Sequence, residues 1–167
     1  MAYDPEDFSR KLVKGRIAET LFDQMLRDAG KFTILAFGYE SVLPELAHRQ
    51  NDIHAQETME IIRRAPDFAV INNKTHEVSL IEVKYMMHPR ADWILHAAER
   101  MYASWRPSCL FLATPNGFFY DKASAIIEKK GVISSLNHAY IPTELQERYL
   151  KLLNEFIRVT SFHDPEE

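Results

Sequence analysis

The stretch Ala65–Tyr85, APDFAVINNKTHEVSLIEVKY, constrains the fold more than any other, because two short apolar runs flank a polar turn and charged side chains interrupt the apolar pattern. The runs Asp67–Ile71 and Val78–Tyr85 are predicted strands, and Asn72-Asn73-Lys74-Thr75-His76 is the polar, Asn-containing connection of a hairpin. Strand side chains alternate faces, so Leu80, Glu82 and Lys84 share one face while Ile81, Val83 and Tyr85 share the other. Glu82 and Lys84 then point the same way, roughly 7 Å apart at the backbone. Antiparallel pairing across the turn brings the Asp67 carboxylate toward Glu82, and two acids and a lysine converge.

That set suits phosphodiester hydrolysis. Hard carboxylate oxygens hold Mg²⁺ through one or two ligands and leave its other positions to water and phosphate oxygens. The ion activates a water and stabilises charge in the transition state. A neighbouring ammonium orients that water, stabilises the incipient hydroxide, or binds a phosphate oxygen. Pro66-Asp67, followed fifteen residues after Asp67 by Glu82-Val83-Lys84, resembles the signature of the PD-(D/E)XK nuclease superfamily, which includes many restriction enzymes, archaeal Holliday junction resolvases and repair nucleases. The resemblance covers roughly residues 8 to 120. It implies an α/β fold with a restriction endonuclease-like αβββαβ core, a mixed sheet flanked by helices. It further implies a nuclease dependent on Mg²⁺ or Mn²⁺, acting on DNA, in which Asp67 and Glu82 hold the metal with help from the Val83 carbonyl and Lys84 positions the nucleophile.

Residues 5 to 29 are a predicted helix, with Phe8, Leu12, Gly15, Glu19, Phe22 and Leu26 spaced by fours and threes. Glu19 occupies an apolar position about 20° from Leu12 around the axis. A lone carboxylate there is costly to ionise unless a metal, a cation or hydrogen bonds compensate it, or the helix is rotated enough to let it reach solvent. Gly15, one turn earlier, removes bulk beside it. Gly15-Arg16-Ile17-Ala18-Glu19 is similar to the G-x-x-x-E pattern on the first helix of many superfamily members, where the acid joins the metal site directly or through water.

Gly30 suits a helix C-terminus, and Phe32–Tyr39 is apolar enough for a buried strand. Residues 41 to 64 are an insertion or partly helical arm, with helix-compatible composition over Pro44–Gln50 and Asp52–Arg64 but poor amphipathic pattern. Arg63 and Arg64 stand just before Pro66 and are expected either to reach a phosphate near the site or to form a solvated pair on the surface. His48 and His54 lack partners at metal-binding spacing and are expected on the surface. After the Met86–Arg90 turn, Asp92 is an expected cap for a helix whose apolar face is Ile94, Ala97, Ala98, Met101 and Trp105. His96 and Arg100 lie together on another side. In the superfamily this helix runs past the active site, which makes Arg100 and His96 candidate phosphate contacts; the Gln-rich motif that some repair nucleases carry here is absent. Ser108–Thr114 is a continuously apolar run, expected as a buried strand after a crossover helix. Pro115-Asn116-Gly117 turns the chain into an edge at Phe118–Tyr120, and Asp121 is expected to cap a helix ending near Lys130-Gly131. Leu145, Tyr149, Leu152, Phe156 and Val159 mark a final helix after Pro142, covering the sheet or pairing with a second subunit in a homodimer.

The length of 167 residues with 46% apolar composition fits a single domain spanning 1–167. The start, MAYDPEDF, lacks an apolar leader core, and there is no run of eighteen apolar residues, so a soluble, cytoplasmic protein without membrane association is expected. The one cysteine, Cys109, lies in an apolar run and has no internal disulfide partner. The formal charge of −4 argues against a protein that coats nucleic acid. However, six acids at the two ends contribute −6, which leaves residues 8 to 163 at +2 and allows a local basic face. Two rival readings stand beside the nuclease: a module with this fold that binds nucleic acid or protein without turnover, and an unrelated α/β protein whose charges merely pair.

Overall fold

The computed structural model describes residues 5–38 and 56–161. Its elements, in chain order, are α1 (Pro5–Ala29), β1 (Phe32–Ala36), α2 (Gln56–Arg63), β2 (Phe68–Asn72), β3 (Val78–Tyr85), α3 (Ala91–Ser104), β4 (Ser108–Thr114), β5 (Gly117–Lys122), α4 (Ala123–Glu128) and α5 (Thr143–Ser161). The strands form one sheet in the order β1-β2-β3-β4-β5. β3 and β4 run parallel; the other neighbours are antiparallel. The chain is therefore an α/β protein with a five-stranded mixed sheet flanked by helices.

Each connection follows from local chemistry. In the hairpin, Asn72 Oδ1 accepts hydrogen bonds from the amides of Lys74 (2.9 Å) and Thr75 (3.2 Å), so the side chain shapes the turn itself. The parallel β3–β4 pair needs a crossover, which α3 supplies. All seven residues of β4 are buried, because both faces of this strand are covered. Cys109, Phe111 and Ala113 enter the core shared with Phe22 and Met25 of α1 and Leu153 of α5. Leu110 and Leu112 face the second core, with Ile94, Ala98 and Met101 of α3 and Ile126 of α4. The hairpin, α1, the crossover helix and the buried β4 all match the sequence reading.

Several local expectations change. β1 ends at Ala36 and lies at the sheet edge, with Ile34 buried and Leu35 50% exposed, so it is no buried strand; an apolar run does not distinguish a centre from an edge. Asp92 does not cap α3, which starts one residue earlier, at Ala91; its carboxylate instead takes two hydrogen bonds from Arg90, at 3.1 and 2.6 Å. Asp121 belongs to β5 and accepts from the Ser134 amide at 2.9 Å, and α4 stops at Glu128. Trp105 falls just beyond α3, where its indole N–H donates to the Ile61 carbonyl (3.1 Å) and its ring stands edge-on to Phe37. The α5 seam runs through Leu145, Tyr149, Leu153 and Ile157, while Phe156 and Val159 are exposed. A row of fours is inclined to the helix axis, so a helix crossing α1 buries that row rather than a stripe parallel to its axis. Tyr39, Pro44–Gln50, His48 and His54 lie outside the described residues.

Two glycines give opposite tests of this framework. Gly131 has φ +89°, and a Cβ built on it would stand 2.0 Å from the Ala91 carbonyl oxygen. Gly15 lies inside α1 with nothing within 4 Å of such a Cβ, so space beside Glu19 is not what requires a glycine there. Gly131→Ala is expected to cost about 2 to 3 kcal/mol and lower Tm by roughly 5 to 10 °C. Gly15→Ala should stabilise by about 0.5 to 1 kcal/mol, through lower unfolded-state entropy. Thermal unfolding followed by circular dichroism measures both; equal effects of the two substitutions would contradict the close approach at Ala91.

Candidate functional site

The site begins where a strand stops short. β2 starts at Phe68, opposite Ile81, so Glu82 to Tyr85 of β3 run on with β4 on one side and no β2 partner on the other. Asp67 stands at this fork, one step beyond the last paired residue. Its carbonyl accepts from the amides of Phe37 (2.8 Å) and Gly38 (3.1 Å), which hold it to the chain leaving β1. Its carboxylate reaches across, and Oδ2 accepts from the Val83 amide at 2.8 Å. A side chain thus replaces a missing ladder bond. In a strand the N–H and C=O of one residue face the same edge, so the Val83 carbonyl also looks into this opening.

Glu82 and Lys84 leave β3 toward the α3 side, since they pair with Leu110 and Leu112 in parallel register. Their side chains form an ion pair with each other. Glu19 approaches from the opposite face of the sheet on α1, partly buried, with Arg16 Nη1 at 2.9 Å from its carboxylate. It is therefore not the uncompensated carboxylate that its place in the apolar stripe suggested. Leu12, in the same stripe, is 54% exposed. All four residues, Glu19, Asp67, Glu82 and Lys84, nevertheless line one cavity of about 500 Å³, together with Val83 and Arg63. The open edge of β3 is what lets residues from both faces of the sheet share it.

A smaller recess of about 60 Å³ adjoins it, walled by Arg63, Arg64 and Arg100 with Glu82 and Lys84. Arg63 and Arg64 pair with Glu60 at 3.0 and 3.8 Å on the exposed side of α2. Such solvent-exposed pairs are weak and exchange readily for another anion. The Trp105 bond to Ile61 ties α2, and hence Arg63, to the end of α3. His96 is exposed and lines neither space. The sequence reading overlooked Arg16, although its spacing of three from Glu19 on a helix is a usable signal. It also overlooked the Asp67–Val83 bond, which no spacing rule announces.

The electrostatics agree with the geometry. Burial pushes the Asp67 carboxyl up to about 7, with the charges of Glu82 and Glu19 adding to the rise; the Val83 amide and Lys84 only partly offset them. Burial pulls the Lys84 ammonium down, but the charge and hydrogen bond of Glu82, with the charge of Asp67, outweigh it and leave its pKa above the ordinary value. The nearby Arg100 charge opposes that rise. Among the described residues no three His, Cys, Asp or Glu side chains converge closely enough to hold an ion by themselves. A donor set of two carboxylates and the Val83 carbonyl is nonetheless what a hexacoordinate, mostly hydrated Mg²⁺ accepts. The excess negative charge felt by Asp67 is what a divalent ion relieves. Comparison of the chain with protein-family models and with curated proteins finds no match.

The raised carboxyl has a consequence for stability. Asp67 in the folded protein keeps its proton up to about pH 7, whereas the unfolded chain releases it near 3.8. The folded state binds more protons in this window, so the Asp67 contribution is fully present below pH 3.8 and is lost as pH rises to 7. Without divalent ions, the stability difference between the parent and Asp67→Asn should therefore shift against the parent across that range, by at most a few kcal/mol. Urea titrations at several pH values measure it, and a difference independent of pH would refute the raised carboxyl.

Proposed function

We propose that this chain is a nuclease of the PD-(D/E)XK superfamily, with a restriction endonuclease-like core, that hydrolyses phosphodiester bonds of DNA with Mg²⁺ or Mn²⁺ in a cytoplasmic setting. The observation that carries the reading is the meeting of Glu19, Asp67, Glu82 and Lys84 in one cavity at the open edge of β3, beside a recess walled by three arginines. The element order from α1 to β4 supports it, as does the absence among the described residues of a helix long and apolar enough to cross a membrane.

In this reading Asp67 and Glu82 hold the ion with the Val83 carbonyl, and Glu19 supports it or a second ion from the α1 side. When bound, the ion lowers the pKa of a coordinated water and stabilises charge on the phosphate. The chain supplies the rest. Lys84 places a charged donor in the same cavity, where it orients the attacking water or stabilises charge that develops on oxygen. Its pairing with Glu82 fixes the ammonium near the carboxylate that would hold the ion. Arg63, Arg64 and Arg100 offer planar donors to the phosphates on either side of the cut, a geometry that suits phosphate oxygens better than a point charge does. Arg16 holds Glu19 in position without entering the chemistry.

The rival module, which binds nucleic acid without turnover, draws on the same geometry, since each acid already has a cation or an amide as partner. Substitution at Lys84 separates the two. Lys84→Ala should reduce cleavage by two to three orders of magnitude, about 3 to 4 kcal/mol in the barrier, with little change in Tm. Mn²⁺ should raise the Tm of the parent and of Lys84→Ala, and raise it less in Asp67→Asn and Glu82→Gln. Glu19→Gln should fold normally and lose activity. The assay is cleavage of single-stranded, duplex and branched DNA and of RNA, with and without Mn²⁺. If the parent binds these substrates and Mn²⁺ but cuts none, or if Lys84→Ala cuts as fast as the parent, the nuclease reading fails and the binding module replaces it.

A further inference from the structure

A second cavity, of about 320 Å³, lies on the α1 face of the sheet and shares no wall residue with the Asp67 cavity. All five strands contribute to it. Its apolar walls include Phe22 of α1, Phe32 of β1 and Phe111 of β4, with Leu136 and Ile141 as a roof. The roof is fixed in place: the Leu136 amide donates to the Phe118 carbonyl (2.9 Å), and Gln146 Nε2 donates to the carbonyls of Leu136 (3.3 Å) and Ile141 (2.9 Å). The space is thus bounded by the sheet, a helix and a braced segment, as ligand pockets commonly are.

Three of its polar groups stand on neighbouring strands, and Asn72 and His138 line it as well. Ser79, Cys109 and Tyr120 stand on the three adjacent strands β3, β4 and β5, and all three line the cavity. Glu77 and Lys122 flank the same end, exposed and opposite in charge. These two charges offset one another and give a charged guest no net compensation at that end, and burial keeps the thiol and the phenol protonated by raising both pKa values. A volume at the lower end of the range for ligand sites, with aromatic walls and a few clustered hydrogen-bonding groups, selects by shape and by one polar contact.

We propose that this cavity binds an uncharged, mainly apolar small molecule of one or two rings carrying one hydrogen-bonding group, which Ser79, Cys109 and Tyr120 orient. The site is independent of the nuclease reading, because none of its residues belongs to the Asp67 cavity. Cys109 is the single cysteine of the chain, so alkylation modifies this one position; its thiol is buried and protonated, so it reacts when the protein opens, and a guest bound in the cavity slows that opening.

The test uses the full chain. Alkylation of Cys109 by iodoacetamide is followed by intact mass in the presence of indole, 4-methylphenol or cyclohexanol, with benzoate as a charged control. Amide shifts are recorded in parallel by NMR. At least one neutral probe should slow alkylation fivefold or more, raise Tm, and shift the amides of Ser79, Leu136 and Ile141. Benzoate should do none of these, and Glu82→Gln should respond as the parent does. Ser79→Leu, which fills the cavity, should abolish protection. Alkylation within twofold of the free rate with all three neutral probes overturns the proposal. So do amide shifts that fall on α3 or at Lys84 instead, a reading that stands even if Ser79→Leu does not fold.

Discussion

The hydrogen bond from the Val83 amide to the Asp67 carboxylate is the contact on which the candidate site depends. A strand that loses its neighbour exposes a row of amides and carbonyls, and a buried amide without a partner costs about as much as a lost hydrogen bond. Here the acid supplies that partner, so β3 stays extended past the end of β2. The same replacement leaves the edge open. A backbone neighbour would have filled the space into which Glu82, the Val83 carbonyl and Glu19 now look. One side chain both secures the strand and is itself a prospective ligand, so Asp67 cannot be read as purely structural or purely functional.

The charges around this fork are balanced without being neutralised. Glu82 is matched by Lys84 and Glu19 by Arg16, while Asp67 has an amide and no cation bonded to it among the described contacts. That leaves Asp67 as the carboxyl whose ionisation is least supported, in agreement with its raised pKa. A cation arriving here would meet a group already desolvated and held in position, so little rearrangement would be needed to bind it. The arginines of the adjoining recess lie at the end of α2, just after it, and on α3. Acids and bases thus meet at a shared wall, since Arg63 lines both spaces and Glu82 borders the arginine recess, although the whole chain carries a net charge of −4.

How much of this the sequence revealed follows from the range of the forces involved. The hairpin, the face shared by Glu82 and Lys84, and the buried β4 are set by alternation and by a turn that Asn72 completes locally, so short windows expose them. Glu19 came from a helical stripe, and its place in the cavity depends on the docking of α1 against β3. Its ion pair with Arg16, the exposure of Leu12, and the separation of His96 from both spaces depend on which neighbours cover each element. Caps failed for a related reason. Asp92 and Asp121 are both competent N-caps, but a guanidinium and the amide of Ser134, in the segment after α4, hold their oxygens. A guanidinium two residues away in one case and an amide thirteen residues away in the other outcompeted a capping propensity worth about 1 kcal/mol.

β3 links the two ends of the molecule. Its first half, through Ser79 and Ile81, walls the apolar cavity under α1; its second half, through Glu82 to Tyr85, walls the charged one. Alternation alone would give each face of the strand a single character. What separates the two environments along its length is the point, between Ile81 and Glu82, where the β2 partner ends. Before it the strand is paired with β2, and from Leu80 with β4 as well, and its α1-facing Ser79 and Ile81 wall a mainly apolar cavity. After it, one edge is open to solvent and both faces contribute to the same space, which is where ionised groups can be hydrated and can still meet one another. The register of a four-residue pairing thereby decides where charge can be placed in this fold, and the sequence places Glu82 and Lys84 on the open side of that boundary.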